Sequence, residues 1–160
     1  MIKFYVDGSC RPTNPGPGAF GILQIYVDND NNEELLNSHY EHFDATTNNR
    51  MELSAINWVM QNYSHNLFDS WGCTPIVYSD SAYAVNTFNE WMFNWAKNNW
   101  KKSDKQTPEN LDIIQEYYNK YNEGYRIDLR KVKGHSTNKW NNLVDALASG
   151  EIKEEDLYGS

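Results

Sequence analysis

Alternation of apolar and polar positions predicts three strands in the first third of the chain. Residues 2–9 form an apolar, β-branched and aromatic run, which is typical of a strand, and we predict that this strand ends near Asp7. The turn cluster Asn14-Pro-Gly-Pro-Gly18 follows it. Residues 19–27 and 35–43 are predicted as the second and third strands, with the polar turn 28–34 between them. The three runs predict an antiparallel meander.

From about residue 49 the apolar period becomes helical. Four apolar residues recur at that spacing and predict a helix to about residue 64, namely Leu53, Ile56, Met60 and Tyr63. The remaining predicted elements are, in order, a buried strand at 75–79, a helical stretch from 81, a helix from about 108 to 121, a strand at 125–132 and a helix at 139–149. The order βββαβααβα predicts an α/β fold with a five-stranded mixed sheet flanked by helices. We predict one domain over residues 1–150 and an acidic, flexible tail over residues 151–160.

Composition agrees with a folded domain and limits what it could bind. The 160 residues are 39% hydrophobic and 14% aromatic, which argues against a disordered acidic segment. The net charge of −8 argues against generic binding of polyanions. Any affinity for nucleic acid is therefore expected from bound cations and local basic patches.

Cysteine use and hydropathy bear on the cellular compartment. Cys10 and Cys73 could form one bridge, but their spacing and number favour free thiols. The chain shows neither a signal peptide nor an apolar run as long as a membrane span. We expect a cytoplasmic protein without a membrane partner.

Four acidic residues, each in a distinctive short context, are candidates for one metal site. Each alone has an ordinary explanation: the start of a turn, a helix cap or a solvated helix position. Two of them end neighbouring predicted strands, and the other two come from helices that can cover the same sheet edge. Carboxylates are the ligands that Mg²⁺ and Mn²⁺ prefer, and clustered carboxylates repel one another without a cation. The four are Asp7, Glu52, Asp80 and Asp145.

The motifs around these acids carry a resemblance to type 1 ribonuclease H, from about Phe4 to Ala148. Six motifs occur in the family's order: Asp-Gly-Ser-Cys, Asn-Pro-Gly-Pro-Gly, Thr-Thr-Asn-Asn-Arg-Met-Glu-Leu, Ser-Asp-Ser, Val-Lys-Gly-His and Asp-Ala-Leu-Ala. The resemblance implies a ribonuclease H-like fold and hydrolysis of the RNA strand of RNA/DNA hybrids. It also implies two Mg²⁺ ions, for which Mn²⁺ can substitute, and products with 5′-phosphate and 3′-hydroxyl ends. It makes the four acids metal ligands and His135 the mobile catalytic-loop histidine, suited to proton transfer.

The resemblance also implies contacts to the hybrid. Main-chain groups around Gly8, Ser9 and Cys10, together with Glu52, are expected to read the 2′-hydroxyl of RNA. Side chains around two loops are expected to contact the minor groove or a DNA phosphate, namely Asn14, Thr47, Asn48 and Asn49. A basic protrusion is expected to touch the DNA backbone through Trp95, Lys97, Lys101 and Lys102, although packing alone could explain its tryptophans.

Two departures from the family pattern lower the expected affinity for the hybrid. Many members have glutamine two positions after the third acid, where this chain has Ala82, and the protrusion interleaves its lysines with Ala96, Asn98 and Asn99. We expect modest, strongly salt-sensitive binding by a monomer. Two alternatives stay open: a hybrid-binding module without turnover, and a nuclease of the same fold that cuts DNA.

Overall fold

The computed structural model describes residues 1–134 and 137–158, which form a sheet with helices on both faces. The seven strands are β1 (Ile2–Cys10), β2 (Gly16–Val27), β3 (Glu33–Thr46), β4 (His65–Asn66), β5 (Ile76–Ser79), β6 (Tyr125–Arg126) and β7 (Asp128–Lys131). The six α-helices are α1 (Asn48–Tyr63), α2 (Ala82–Asn86), α3 (Met92–Lys97), α4 (Leu111–Asn122), α5 (Lys139–Ala148) and α6 (Glu154–Leu157), and a π-helical turn over Thr87–Trp91 joins α2 to α3.

The main sheet has five strands in the order β3-β2-β1-β5-β7. The pairs β1–β2 and β2–β3 are antiparallel, whereas β1–β5 and β5–β7 are parallel. This mixed sheet with flanking helices confirms the predicted fold class. The antiparallel meander supplies one half of the sheet, and the parallel strands bring their carboxyl ends to a common edge.

Strand alternation divides the core into two layers. Phe4 and Val6 of β1 pack with α1, α2 and α4 on one face. Tyr5 of the same strand packs with Trp140 and Val144 of α5 on the opposite face. Because successive side chains of a strand point to opposite faces, the near-continuous apolar run of β1 serves both layers.

The elements differ from the predicted ones mainly at their ends. Strand β1 continues three residues past Asp7 to Cys10, so this acid lies inside a strand and does not end it. The strand predicted at 125–132 is divided into β6 and β7, and β6 pairs with β4 in a small second sheet that the sequence pattern did not indicate. The helix predicted near residue 108 begins at Leu111, after Asn110 in a left-handed conformation with φ 61°. These shifts leave the predicted order of the main elements intact.

The acidic segment after residue 150 makes specific contacts in its described part. Glu154 accepts a hydrogen bond from the Ser38 hydroxyl at 2.8 Å, and the Tyr158 hydroxyl donates to the same serine oxygen at 3.0 Å. Ile152 and Leu157 pack against the α5 layer of the core. The flexibility of this segment and the domain boundary at residue 150 stay predictions.

Two smaller expectations concern the thiols and the membrane. Both Cys10 and Cys73 are free thiols, as predicted. Among the described helices, none combines the length and the apolar character that crossing a bilayer requires.

Candidate active site

The register of the central strands places Asp7 beside Asp80. Strands β1 and β5 run parallel with Tyr5 opposite Tyr78, so the positions two residues further along each strand are neighbours. Asp80 immediately follows the last residue of β5. The predicted proximity of the two acids is therefore correct, although only Asp80 stands at a strand end. Ser81, and not Asp80, caps α2 by accepting a hydrogen bond from the Ala84 amide at 3.1 Å.

A close approach of α1 to β1 positions Glu52. A Cβ atom on Gly8 would lie 2.4 Å from the Glu52 backbone nitrogen and 2.4 Å from the Met51 carbonyl carbon. Only glycine leaves room for the start of the helix to rest directly on the strand backbone. The α1 cap is Thr47, whose hydroxyl accepts from the Arg50 amide at 3.1 Å. Glu52 is thus not a capping residue, and its side chain is available to the cluster.

On the opposite face of the sheet, α5 brings in Asp145. This helix packs over Gly21, where an added Cβ would meet the Leu147 side chain at 3.1 Å. Asn138 begins the helix by accepting hydrogen bonds from the amides of Trp140 and Asn141, both at 3.0 Å. The result is that two helices approach β1 from opposite faces, each carrying one acid toward its middle.

All four predicted acids line one open cavity of about 350 Å³. Carboxylate oxygens of Asp7, Glu52 and Asp80 lie within 4.8 Å of one another. Asp7 also forms a side-chain hydrogen bond with Asp145, and its own side chain is 4% exposed. Asp7 is thus the central member, in contact with acids from both faces of the sheet.

Burial and mutual repulsion perturb the two inner acids strongly. Desolvation, followed by the charges of Glu52 and Asp80, raises the pKa of Asp7 to about 11. Desolvation, followed by the charge of Asp80, raises the pKa of Glu52 to about 8. Both shifts have the direction expected of carboxylates that lack a positive partner. A bound cation would lower both pKa values because its charge stabilises the ionised carboxylates.

The donor set fits a hard divalent cation. Every acid of the cluster offers oxygen, the atom that Mg²⁺, Mn²⁺ and Ca²⁺ prefer. The Oε2 atom of Glu52 is buried and has no hydrogen-bond partner, whereas buried polar atoms are normally paired. An unpaired buried carboxylate oxygen close to other carboxylates is suited to act as a metal ligand.

Comparisons with known proteins agree with this geometry. The family model of RNase H matches residues 1–153. The chain belongs to the ribonuclease H family. It is 41% identical over 156 residues to the ribonuclease H of Caldanaerobacter subterraneus subsp. tengcongensis, covering 96% of this chain and 92% of that protein. It is also 41% identical over 155 residues to the ribonuclease H of Chlorobaculum parvum, covering 96% and 97%.

Solved structures share the fold of this ribonuclease H. LC9-RNase H1, described as a type 1 RNase H with the type 2 active-site motif, superposes with a TM-score of 0.73 at 25% identity, covering 96% of this chain and 74% of that one. The foamy viral protease-reverse transcriptase in complex with RNA/DNA hybrid superposes with a TM-score of 0.75 at 17% identity, over 93% of this chain and 19% of that one. The resemblance predicted from the motifs is confirmed, and the protein is a nuclease of a metal-dependent family.

Several residues predicted to contact the hybrid are joined in one network beside the acids. The Cys10 amide donates to the Asn48 side-chain oxygen at 2.6 Å, and the Asn48 amide donates to the Asn14 side-chain oxygen at 3.1 Å. Both bonds use the side-chain amide oxygen, so the NH₂ groups of Asn14 and Asn48 are left to donate to another group. Asn48 and Asn49 also line the acidic cavity, together with Gly8 and Ser9.

The predicted basic protrusion lies apart from the cavity wall. Trp95 lines a separate depression with Trp91 and Lys102. Lys97 ends α3, and the Lys101 ammonium donates to the Thr107 hydroxyl at 2.9 Å. Trp95 is partly buried against the core, in keeping with the packing role that the sequence left open. Contact of this segment with nucleic acid stays a prediction.

His135 lies outside the described residues, so its catalytic role stays a prediction. The residue before it, Gly134, is described and lies beside Asp80: a Cβ added there would be 3.3 Å from the Asp80 Oδ2 atom. The loop therefore starts from a point next to the acid cluster.

The cavity also contains residues that the sequence reasoning missed. Arg11, Asn141 and Asn142 line it together with the four acids. Arg11 lies just after the end of β1, within a few residues of Asp7 and Ser9, and this closeness in sequence was the available signal. The asparagines precede Asp145 by four and three residues, which is one helical turn.

Proposed function

We propose that this ribonuclease H hydrolyses the RNA strand of RNA/DNA hybrids with two divalent cations, giving 5′-phosphate and 3′-hydroxyl ends. The observation that carries the proposal is the convergence of Asp7, Glu52, Asp80 and Asp145 on one cavity with an unpaired buried oxygen. The foamy viral protease-reverse transcriptase, solved in complex with RNA/DNA hybrid, contains the same fold, which supports the choice of substrate.

Mg²⁺ is the proposed cofactor, and Mn²⁺ is expected to substitute for it. When bound, the two ions supply Lewis-acid activation of the attacking water and stabilisation of the departing 3′ oxygen. The protein's part is to hold four carboxylates in place before the substrate arrives. Asp7 would contribute to both metal sites because it touches acids from both α1 and α5, and Glu52, Asp80 and Asp145 would complete them.

Recognition of the hybrid is assigned to donors around the cavity. The NH₂ groups of Asn14 and Asn48 suit the minor groove, whose base edges are mainly acceptors. Asn49 is assigned to the same groove and Thr47 to a DNA phosphate at the start of α1. The backbone of Gly8, Ser9 and Cys10, with Glu52, is assigned to the RNA 2′-hydroxyl.

His135 is assigned the movement of a proton to or from the phosphate or the leaving oxygen. Its near-neutral intrinsic pKa suits this role. The lysines of the protrusion, Lys97, Lys101 and Lys102, are assigned to the DNA backbone near Trp95, where each neutralised phosphate adds to the salt dependence of binding. Monomeric state and cytoplasmic location belong to the same proposal.

A cleavage assay on three labelled duplexes tests this function. We expect cleavage of the RNA strand in RNA/DNA with Mg²⁺, and none of DNA/DNA or RNA/RNA. Binding of the hybrid without cleavage would favour a module without turnover, and cleavage of DNA/DNA would favour a DNA nuclease of the same fold. Asp80→Asn serves as the matched inactive variant: cleavage that persists in it implicates another site. End-labelling of the products with and without phosphatase treatment identifies the termini.

A further inference from the structure

Ser9 carries a buried hydroxyl group with no partner. Its side chain is 5% exposed, and its Oγ atom has no hydrogen-bond partner. Ser9 lies two residues after Asp7 on β1, so its side chain points to the same face of the sheet. Leaving a buried hydroxyl unpaired lowers stability. A ligand that forms a hydrogen bond with the Ser9 hydroxyl explains this unpaired group better than a purely structural role does.

Arg11 directly follows the last residue of β1 and brings a positive charge to the acidic cavity. Within residues 1–134 and 137–158, it is the one basic side chain that lines the acidic cavity. Its Nη2 atom lies 4.0 Å from the Asp145 Oδ1 atom, and its side chain is 60% exposed. An exposed pair at this distance contributes little to stability. The guanidinium is therefore held only loosely and can turn to an arriving anion.

Ser9 and Arg11 lie at the boundary between two cavities. Both residues line the acidic cavity, and both line a second cavity of about 210 Å³ beside Tyr40, His42 and the end of α5. Ser9 and Arg11 follow Asp7 along the chain, so both lie on the side of the acid cluster that borders the second cavity. Guanidinium and hydroxyl donors suit phosphate oxygens, and arginine can bind phosphate in bidentate fashion.

We propose that Ser9 and Arg11 form a binding site for an RNA-strand phosphodiester next to the one that is cleaved. The proposal rests on the proposed function for the identity of the strand. Arg11 acts as a positioning residue: it keeps the strand on an otherwise repulsive acidic surface without touching the reacting atoms.

Binding and turnover of a short RNA/DNA hybrid test the site in four variants of the full chain. Arg11→Ala should weaken hybrid binding in EDTA about tenfold and lower the slope of log K against log salt by about one. It should raise KM by a similar factor and leave kcat within about threefold. Arg11→Lys should fall between it and the wild type because lysine keeps the charge and loses the bidentate geometry. Arg130→Ala removes an exposed arginine that is paired with Asp128 outside the cavity and should match the wild type.

Ser9→Ala separates a ligand site from a structural role. Because the hydroxyl has no partner in the folded chain, its removal should leave Tm unchanged or higher while weakening hybrid binding about threefold. A lower Tm with unchanged binding would show a structural hydroxyl and overturn the assignment of Ser9.

A substrate change locates the contact. One neutral methylphosphonate, placed on a 2′-deoxynucleotide at a linkage flanking the cleaved one, should weaken binding by the wild type and have no further effect on Arg11→Ala. Additive losses at every flanking linkage, or equal losses in Arg130→Ala and Arg11→Ala, would overturn the proposal. Since binding is measured without cleavage, failure of the wild type to cut the hybrid would sink the proposed function and leave this result standing by itself.

Discussion

Two acid-rich regions of this protein treat their carboxylates in opposite ways. In the turn between β2 and β3, Asp28 is partly exposed and its Oδ1 atom accepts hydrogen bonds from the amides of Asp30 at 2.8 Å and Asn32 at 2.9 Å. These backbone donors lower the pKa of Asp28. In the cavity, burial and neighbouring acids raise the pKa of Asp7 and Glu52. Backbone amides of the turn stabilise the Asp28 carboxylate. The cavity instead brings several carboxylates together, and a bound cation is needed to stabilise their ionised forms.

The difference shows why a count of acids does not identify a metal site. The segment Asp28-Asn-Asp30-Asn-Asn32 has the composition of a calcium loop's beginning, but Glu33 stands where such a loop needs glycine and His39 where it needs a bidentate glutamate. Its carboxylate is turned inward to close a hairpin, as the sequence predicts. In the cavity the acids come from four distant segments, and the fold itself holds them against their repulsion.

Neutralising one acid in each region gives the largest expected contrast. Asp7→Asn should lower hybrid cleavage by about 10³-fold, since removal of one fixed electrostatic group from an active site costs this much. Asp28→Asn should leave cleavage within about twofold, because its partners are local amides. Single-turnover rates in Mg²⁺ measure both. Comparable losses in the two variants would contradict the assignment of the catalytic charge to the cavity.

Moving a helix should disrupt the cavity without removing an acid. Gly8→Ala places a Cβ 2.4 Å from α1 backbone atoms, which cannot turn aside as a side chain can. We expect about 3 kcal/mol of destabilisation and about 10²-fold slower cleavage, because Glu52 shifts with the helix.

Gly21→Ala is the matched control for Gly8→Ala. The Cβ it adds meets the flexible Leu147 side chain at 3.1 Å, so smaller losses of stability and rate are expected. Denaturant unfolding and single-turnover kinetics measure both variants. Equal losses would contradict the claim that backbone contact at Gly8 positions Glu52.

The two regions should also give stability a different dependence on pH. In the unfolded chain Glu52 loses its proton near the ordinary glutamate pKa of 4.5, but the folded group keeps it until about 8. The folded state therefore binds more protons between these values, and metal-free stability should fall as pH rises through this window. Asp28 has the opposite sign, since its lowered pKa stabilises the fold above about pH 4 and this contribution is lost only in acid.

Glu52→Gln isolates the cavity's share of this dependence. In EDTA the variant should gain Tm over the wild type as pH rises from 5 to 8, on the order of 5 °C or about 2 kcal/mol at the upper end. Millimolar Mg²⁺ should raise the Tm of the wild type more than that of the variant, because only the wild type offers the full set of acids to the ion. A Tm difference that stays constant with pH would show that burial and the neighbouring acids do not raise the pKa of Glu52.

The sequence predicted the order of the main elements because their signals are local. Apolar periodicity located the meander and α1, and the turn cluster at residues 14–18 separated β1 from β2. It did not predict the small sheet of β4 and β6, since two-residue strands carry no period. Nor did it place the end of β1, because Cys10 is held by pairing with Gly18, a contact between separate segments.

For the site, sequence motifs pointed to the four acids, and the structure explains how the fold brings their side chains to one cavity. No local pattern distinguishes Glu52 from a capping residue. The cap at Thr47 and the contact at Gly8 decide that question, and both are visible only in the three-dimensional structure. Arg11 was missed because it belongs to none of the matched motifs, although it lies close to Asp7 and Ser9 in the sequence.

The smallest expected effect concerns the rim of the cavity. A substitution there leaves the carboxylates of both the cavity and the β2–β3 turn unchanged. Ala82 is the exposed first residue of α2, next to Ser81 on the cavity wall. Ala82→Gln adds an amide that can hydrogen-bond a base edge at little helical cost. We expect Kd for the hybrid to fall about threefold, with kcat unchanged, since one neutral hydrogen bond contributes about 1 kcal/mol or less. Ala82→Leu, similar in size but without the amide, should show no gain in a titration at fixed salt. A gain in the leucine variant as well would assign the effect to apolar contact, and the absence of one glutamine would then not explain modest binding.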